Sequence, residues 1–191
     1  MIALDLDNTI ICYDEAFRAV ASQLDCLPEP GIVTNKSSIK ASALARGGND
    51  LWTRVQGLVY GEQIGKGTLF PGCAEFVASA QEELVIVSHK TQFPVLGDKT
   101  DLREAAANWV RSTPLASLPL HFFDTREAKV AKVAELRPRA LIDDLPEVFK
   151  TPGFPSATAF ILFDPDNSHP LWTASPRIRS WRKAQSELLP H

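Results

Sequence analysis

The feature that most constrains this chain is how it begins. A short apolar run at residues 2–6 leads directly into Asp5, Leu6, Asp7, Asn8 and Thr9. Residues two apart on an extended chain share a face, so Asp5 and Asp7 point to the same side of a strand end. Carboxylates are costly to bury without a partner. Two of them on the end of a core strand therefore require a compensating charge, and Mg²⁺ is a suitable one. It favours oxygen ligands from one or two carboxylates together with substrate phosphate.

Four further apolar runs follow, at residues 84–87, 120–123, 140–142 and 159–163. Between them the periodicity predicts helices at about 71–81, 102–110, 125–136 and 145–149. Capping boxes mark two of the helix starts, Asp101 with Glu104 and Asp124 with Glu127. Strands alternating with helices of this length imply an α/β fold, a parallel sheet covered on both faces. Ligands of such sheets bind beyond the carboxyl ends of the strands.

Residues 12–69 break the rhythm. The segment shows no clear strand, but it carries helical patterns at 13–24, 37–46 and 50–60, punctuated by Pro28, Pro30, Gly31, Gly47, Gly48, Gly65 and Gly67. The segment reads as a small helical subdomain inserted after the first strand, or alternatively as a longer helical crossover packed on the sheet. The expected division is residues 1–11 with 70–191 as core and 12–69 as insertion. The Pro-rich tail from Thr151 ends in an expected helix at 178–189, read as packing.

Composition narrows the function classes. The 191 residues carry 20 Lys and Arg against 23 Asp and Glu, a formal net charge of −3, so the basic excess of a general nucleic-acid binder is missing. No apolar run approaches the ~18 residues of a membrane span. The first residues lack the charged start and long apolar core of a signal peptide. Cys12, Cys26 and Cys73 are odd in number and widely spaced, which fits reduced thiols in a cytoplasmic protein better than a disulfide framework. The expected partner is a small molecule, with no nucleic acid and no membrane; the oligomeric state is left open.

Chemistry-bearing residues recur at the strand ends. Ser88 ends the second strand and offers a hydroxyl at the same edge. Asp143 and Asp144 end the fourth. On a wheel of the helix at 125–136, Val130, Val133, Ala134 and Leu136 define the apolar arc. Lys129 falls inside that arc and Lys132 outside it. A lysine on a buried face needs a negative partner, and these carboxylates or a phosphate would supply one.

The order DLDNT, VSHK, TREAKVAKVAEL and LIDDLPE resembles the four motifs of the haloacid dehalogenase-like (HAD) hydrolases, over residues 1–163. The resemblance implies a Rossmann-like core sheet with strand order 5-4-1-2-3 counted in chain order, and a helical cap between the first and second motifs. It implies Asp5 as nucleophile and Asp7 as general acid and base. Ser88 would hold the phosphoryl oxygens and Lys129 would neutralise charge. Asp143 would bind Mg²⁺ along with Asp5 and the backbone carbonyl of Asp7, with Asp144 on metal-bound water or a neighbour. A second insertion point, after the third strand, is closed by the direct Phe123–Asp124 junction.

Physical chemistry agrees with these roles. Carboxylates facing a phosphate dianion repel it, so a divalent cation and a lysine are electrostatic requirements. Relatives that cleave carbon–halogen bonds lack an acid two residues after the nucleophile, so Asp7 points to phosphoryl transfer. The expected function is a Mg²⁺-dependent phosphatase acting on a small phosphorylated metabolite through an aspartyl-phosphate. A phosphotransferase or mutase using the same residues, and a non-catalytic binding protein of the same fold, are the alternatives. A phosphoacceptor receiver domain fails on layout, because its acceptor Asp sits on a middle strand. Thr9, Tyr13, His89 and Lys90 are the candidate substrate contacts, the latter two opening a long loop at the sheet edge.

Overall fold

The apolar runs become strands of one parallel sheet in the computed structural model, which describes residues 1–80, 83–97 and 99–189. In chain order the elements are β1 (Ile2–Leu4), β2 (Ile11–Cys12), α1 (Asp14–Gln23), α2 (Lys36–Tyr60), β3 (Thr68–Leu69) and α3 (Cys73–Ser79). They continue with β4 (Leu84–His89), α4 (Leu102–Arg111), β5 (Leu120–Phe123), α5 (Arg126–Leu136), β6 (Ala140–Asp143) and α6 (Pro146–Phe149). The last three are β7 (Ala159–Phe163), β8 (Arg177–Ile178) and α7 (Trp181–Leu188).

Two compact units result. The first comprises Met1–Ile11, Leu69–Lys90 and Pro114–His191. Its six-stranded sheet has the order β5-β4-β1-β6-β7-β8. Every adjacent pair is parallel, with Leu4 opposite both Ile86 and Ile142. This is the order implied by the resemblance, with β8 added at one edge. β1, β4, β6 and β7 are buried almost throughout, which is why they read as continuous apolar runs rather than alternating ones. One face of the sheet, carrying Ala3, Val85, Val87, Leu141, Phe160 and Leu162, packs with Val130 and Val133 of α5 and Val148 of α6.

The second unit comprises Cys12–Thr68 and Thr91–Thr113. Phe17 of α1 stacks on Trp52 of α2 at 5.8 Å, and Tyr60 meets Tyr13 and Phe17 edge-on at 5.1 and 6.1 Å. The helix α2 is two helical stretches broken at Gly47 and Gly48, where Gly48 has φ +65° and ψ −157°, a conformation open essentially to glycine alone. That break separates the two helical patterns expected at 37–46 and 50–60.

The structure corrects several expectations. The segment 12–69 is not free of strand: β2 and β3 pair in a two-stranded sheet where the chain leaves and rejoins the first unit. The stretch 91–113 groups with the helical unit rather than with the core. Trp109 of α4 donates from Nε1 to the Gly67 carbonyl at 3.1 Å and so ties that helix to the end of the insertion. The tail helix begins at Trp181 rather than 178. Ser180 caps it by accepting from the Lys183 N–H, and Ile178 is a strand residue opposite Phe163. The helix expected at 71–81 spans Cys73–Ser79, and its expected last residue, Gln81, lies outside the described residues. Asp101 does cap α4, accepting from the Arg103 and Glu104 N–H groups.

The cap of α5 lies one residue later than expected. Thr125, not Asp124, has extended backbone, and its hydroxyl accepts from the Ala128 N–H at 3.1 Å. Thr125→Ala should therefore cost about 1 kcal/mol. The urea unfolding midpoint of the variant measures the loss, and an unchanged midpoint would remove Thr125 as the cap.

Candidate active site

Strand parity delivers the central contact. Asp5 continues the face of Ala3, and Asp143 continues that of Leu141. The Asp5 N–H still bonds the Ile142 carbonyl at 2.9 Å, so the ladder holds this far. This face is the one covered by α5, whose Val130 and Val133 lie in the core. Lys129 shares the buried side of that helix. Its side chain is 1% exposed, and its Nζ donates to Asp5 Oδ1 at 2.5 Å and to Asp143 Oδ2 at 2.6 Å. Lys132, just outside the apolar arc, pairs at the surface with Glu135 at 2.7 Å.

Burial and charge compete at this cluster. Burial pushes the Lys129 ammonium down, but the Asp143 and Asp5 carboxylates outweigh it, so its pKa stands above the ordinary lysine value and the charge is kept. Burial raises the Asp5 carboxyl well above the ordinary range. Lys129 opposes that rise, and Asp143, Asp144 and Asp7 add to it. Asp143 is held on both oxygens: Oδ1 accepts from the Leu145 N–H at 2.9 Å and Oδ2 from Lys129.

Asp5, Asp143 and Asp144 each offer a carboxylate oxygen, all within 4.8 Å of one another. Three carboxylates against one ammonium leave two negative charges in a mostly buried cluster. The donors are hard oxygens and the charge deficit matches a divalent cation, so the residues fit Mg²⁺. Asp7 takes no part in this carboxylate group. Its Oδ2 lies 2.8 Å from Nζ of Lys90, whose side chain is 2% exposed.

The loop that carries Asp7 is tightly built. Asn8 has φ +61°, a left-handed conformation that Asn tolerates, and the Ile10 and Ile11 N–H groups both return to the Leu6 carbonyl. Trp181 of α7, fully buried against Phe76 and Phe163, donates from Nε1 to the Thr9 carbonyl at 3.1 Å. The tail thus supports the loop that carries Asp7, a role its sequence did not announce. The Thr9 and Ser88 hydroxyls are fully buried and, among the described residues, find no hydrogen-bond partner. Buried hydroxyls left that way lose hydration for no return, so each is a natural donor to an incoming anion.

The expected site residues thus fall into groups. Asp5, Asp143, Asp144 and Lys129 meet directly, while Asp7 pairs with Lys90. Ser88 lies on β4, the strand beside β1. His89 packs its Nε2 3.1 Å from the Asp124 carbonyl, a contact in which the ring donates. Burial lowers its pKa and that hydrogen bond partly restores it. Tyr13 belongs to the helical unit, where it is 1% exposed within the aromatic cluster. The sequence offered Lys90 only as a substrate contact; its pairing with Asp7, 83 positions away, came with the fold.

No family model matches the chain, and no curated protein matches it. Solved structures do. A HAD family hydrolase from Deinococcus radiodurans R1, solved with phosphate and sodium, aligns with a TM-score of 0.57 at 13% identity, over 98% of this chain and 93% of that one. The HAD-hydrolase YfnB from Bacillus subtilis, bound to magnesium, aligns with a TM-score of 0.58 at 14% identity, over 98% and 97%. CbbY from Rhodobacter sphaeroides, in complex with xylulose-(1,5)bisphosphate, gives 0.54 at 13% identity, over 94% and 93%. What is shared at such identities is the fold: this chain has that of the HAD-superfamily hydrolases.

The charge deficit at the acidic cluster yields a prediction independent of turnover. Mg²⁺ at 100 times its Kd should stabilise chelator-treated protein by about 2.7 kcal/mol, read as a rise in Tm. The increment should grow from pH 5 to pH 7.5, because burial favours a proton on Asp5 that the cation must displace. Asp143→Asn should remove most of the response. A wild-type Tm indifferent to Mg²⁺ across this range would exclude the cluster as a cation site.

Proposed function

We propose that this chain is a Mg²⁺-dependent phosphatase that hydrolyses a small phosphorylated metabolite through an aspartyl-phosphate on Asp5. The observation that carries the reading is the buried ammonium of Lys129 held between Asp5 and Asp143, with Asp144 completing the acidic group. Support for the substrate class comes from the fold relatives solved with phosphate and with a sugar bisphosphate. In this reading the first unit is the catalytic core and residues 12–69 are its helical cap.

Asp5, Asp143 and Asp144, with the backbone carbonyl of Asp7, would hold Mg²⁺, which when bound neutralises phosphoryl charge and favours the ionised form of Asp5. Lys129 fixes the Asp5 carboxylate through Oδ1 and carries positive charge to the phosphoryl group. Asp5 attacks phosphorus; the bond from its carboxylate oxygen to phosphorus forms as the bond to the leaving oxygen breaks. Asp7, having taken up a proton from the phosphate monoanion as the substrate binds, gives it to that leaving oxygen. Water then attacks phosphorus, Asp7 takes back a proton, and the bond to Asp5 breaks to release phosphate. Through both steps the Ser88 and Thr9 hydroxyls donate to phosphoryl oxygens.

Quench-flow kinetics with two leaving groups test these roles. Asp5→Asn should abolish turnover and any trapped phosphoenzyme. Asp7→Asn should lose about 10²–10⁴-fold on an alkyl phosphate, whose alkoxide must be protonated. On nitrophenyl phosphate the same variant should show a burst of nitrophenol before a slow steady state, since that anion departs unaided. A phosphoenzyme in Asp5→Asn, or full alkyl phosphate turnover in Asp7→Asn, would reverse the assignment.

The helix phase makes its own prediction. Lys129→Ala should reduce the rate at least tenfold, whereas Lys132→Ala, which removes a surface pair with Glu135, should leave it within about twofold. Steady-state assays with Mg²⁺ and a phosphorylated-metabolite panel read both variants and rank substrates.

A further inference from the structure

Lys90 is a second buried lysine whose partner is not in the acidic cluster. It follows β4 directly, and its N–H bonds the Phe123 carbonyl at 2.8 Å, so its backbone is pinned to the end of β5. From there its Nζ reaches Asp7 Oδ2 at 2.8 Å, with the Asp7 side chain itself 15% exposed. A carboxylate on a loop turns about two torsions, and the Coulomb attraction of a buried ammonium 2.8 Å away favours the orientations that keep the two charges close. A lysine this buried also requires its carboxylate, since an ammonium left alone there would be strongly destabilising. Two buried lysines thus stand beside these carboxylates: Lys129 contacts Asp5 and Asp143, and Lys90 contacts Asp7.

We propose that Lys90 is a positioning residue for proton transfer, its ammonium holding the Asp7 carboxylate in the orientation that reaches the leaving oxygen, rather than a ligand of the substrate phosphate. The inference rests on the reading of Asp7 as acid and base. It assigns Lys90 a role in kcat that depends on how much protonation the leaving group needs. A phosphate ligand would instead act on all phosphate monoesters alike.

The experiment compares Lys90→Met with wild type on an alkyl phosphate and on nitrophenyl phosphate. The alkyl phosphate should lose at least tenfold in kcat with KM within about threefold, while the nitrophenol burst rate should change by less than threefold. Lys90→Arg, which keeps the charge, should recover part of the loss. In an Asp7→Asn background, Lys90→Met should cost less than a further twofold, because the group it orients is already disabled. Equal losses on both substrates, a loss confined to KM, or additive losses in the double variant would overturn the proposal.

Crystal structures of wild type and Lys90→Met supply a readout that needs no turnover. The Asp7 carboxylate should leave its wild-type position, and an unmoved carboxylate would overturn the proposal whatever the kinetics. If wild type releases no phosphate from either ester, the phosphatase reading fails by itself, and the structures still decide whether Lys90 positions Asp7.

Discussion

A single ammonium, fully enclosed and shared by two carboxylates, sets the terms for the rest of this molecule. Moving an ion of this kind out of water costs several kcal/mol even after relaxation, and only close opposite charges offset it. The Lys129 contacts to Asp5 and Asp143 provide that offset. They require three separate elements to agree: β1 and β6 adjacent and parallel, their register level at the carboxyl end, and α5 docked in one rotational phase. Val130 and Val133 enforce the phase by entering the apolar face of the sheet. Packing far from the chemistry therefore decides where the charge sits.

The same electrostatics orders the neighbouring groups. With all three carboxylates ionised, two negative charges would remain after Lys129 is counted against Asp5, Asp143 and Asp144, and burial opposes that state by raising the Asp5 carboxyl. Under the proposed reading a divalent cation and then an anion would complete the site, with the buried Ser88 and Thr9 hydroxyls as donors to the anion. Asp7 stands apart, balanced by Lys90 and carried on a loop whose Thr9 carbonyl is tied to Trp181.

Outside this centre, the molecule depends on ordinary devices placed where the chain needs them. The break at Gly48 divides α2, and the stretch beyond it carries Trp52 and Tyr60 into the aromatic cluster of the helical unit. Asp164, buried after β7, accepts from the Ser168 and His169 N–H groups and pairs with Arg177 at 3.1 Å, which fixes the tail so that β8 can extend the sheet. Among the described residues, no helix is long and apolar enough to cross a membrane.

Much of this was legible in the chain before folding was considered. Buried parallel strands must be continuously apolar, so five of the six sheet strands announce themselves. The apolar arc of α5 separates Lys129 from Lys132 by counting alone. Local chemistry misleads by one residue at Thr125 and Asp124, because both are good caps and only the backbone conformation chooses between them. The short strands β2, β3 and β8 leave no signal, since two residues carry no periodicity; pairing partners create them. The pairing of Lys90 with Asp7, the support of Thr9 by Trp181 and the grouping of α4 with the helical unit join residues 83, 172 and 42 positions apart. Sequence by itself determined which side chains stand at strand ends and which helix face is buried, because those follow from periods of two and 3.6 residues. Only the tertiary structure decided which charge meets which, because an ion pair between distant positions exists nowhere but in the folded chain.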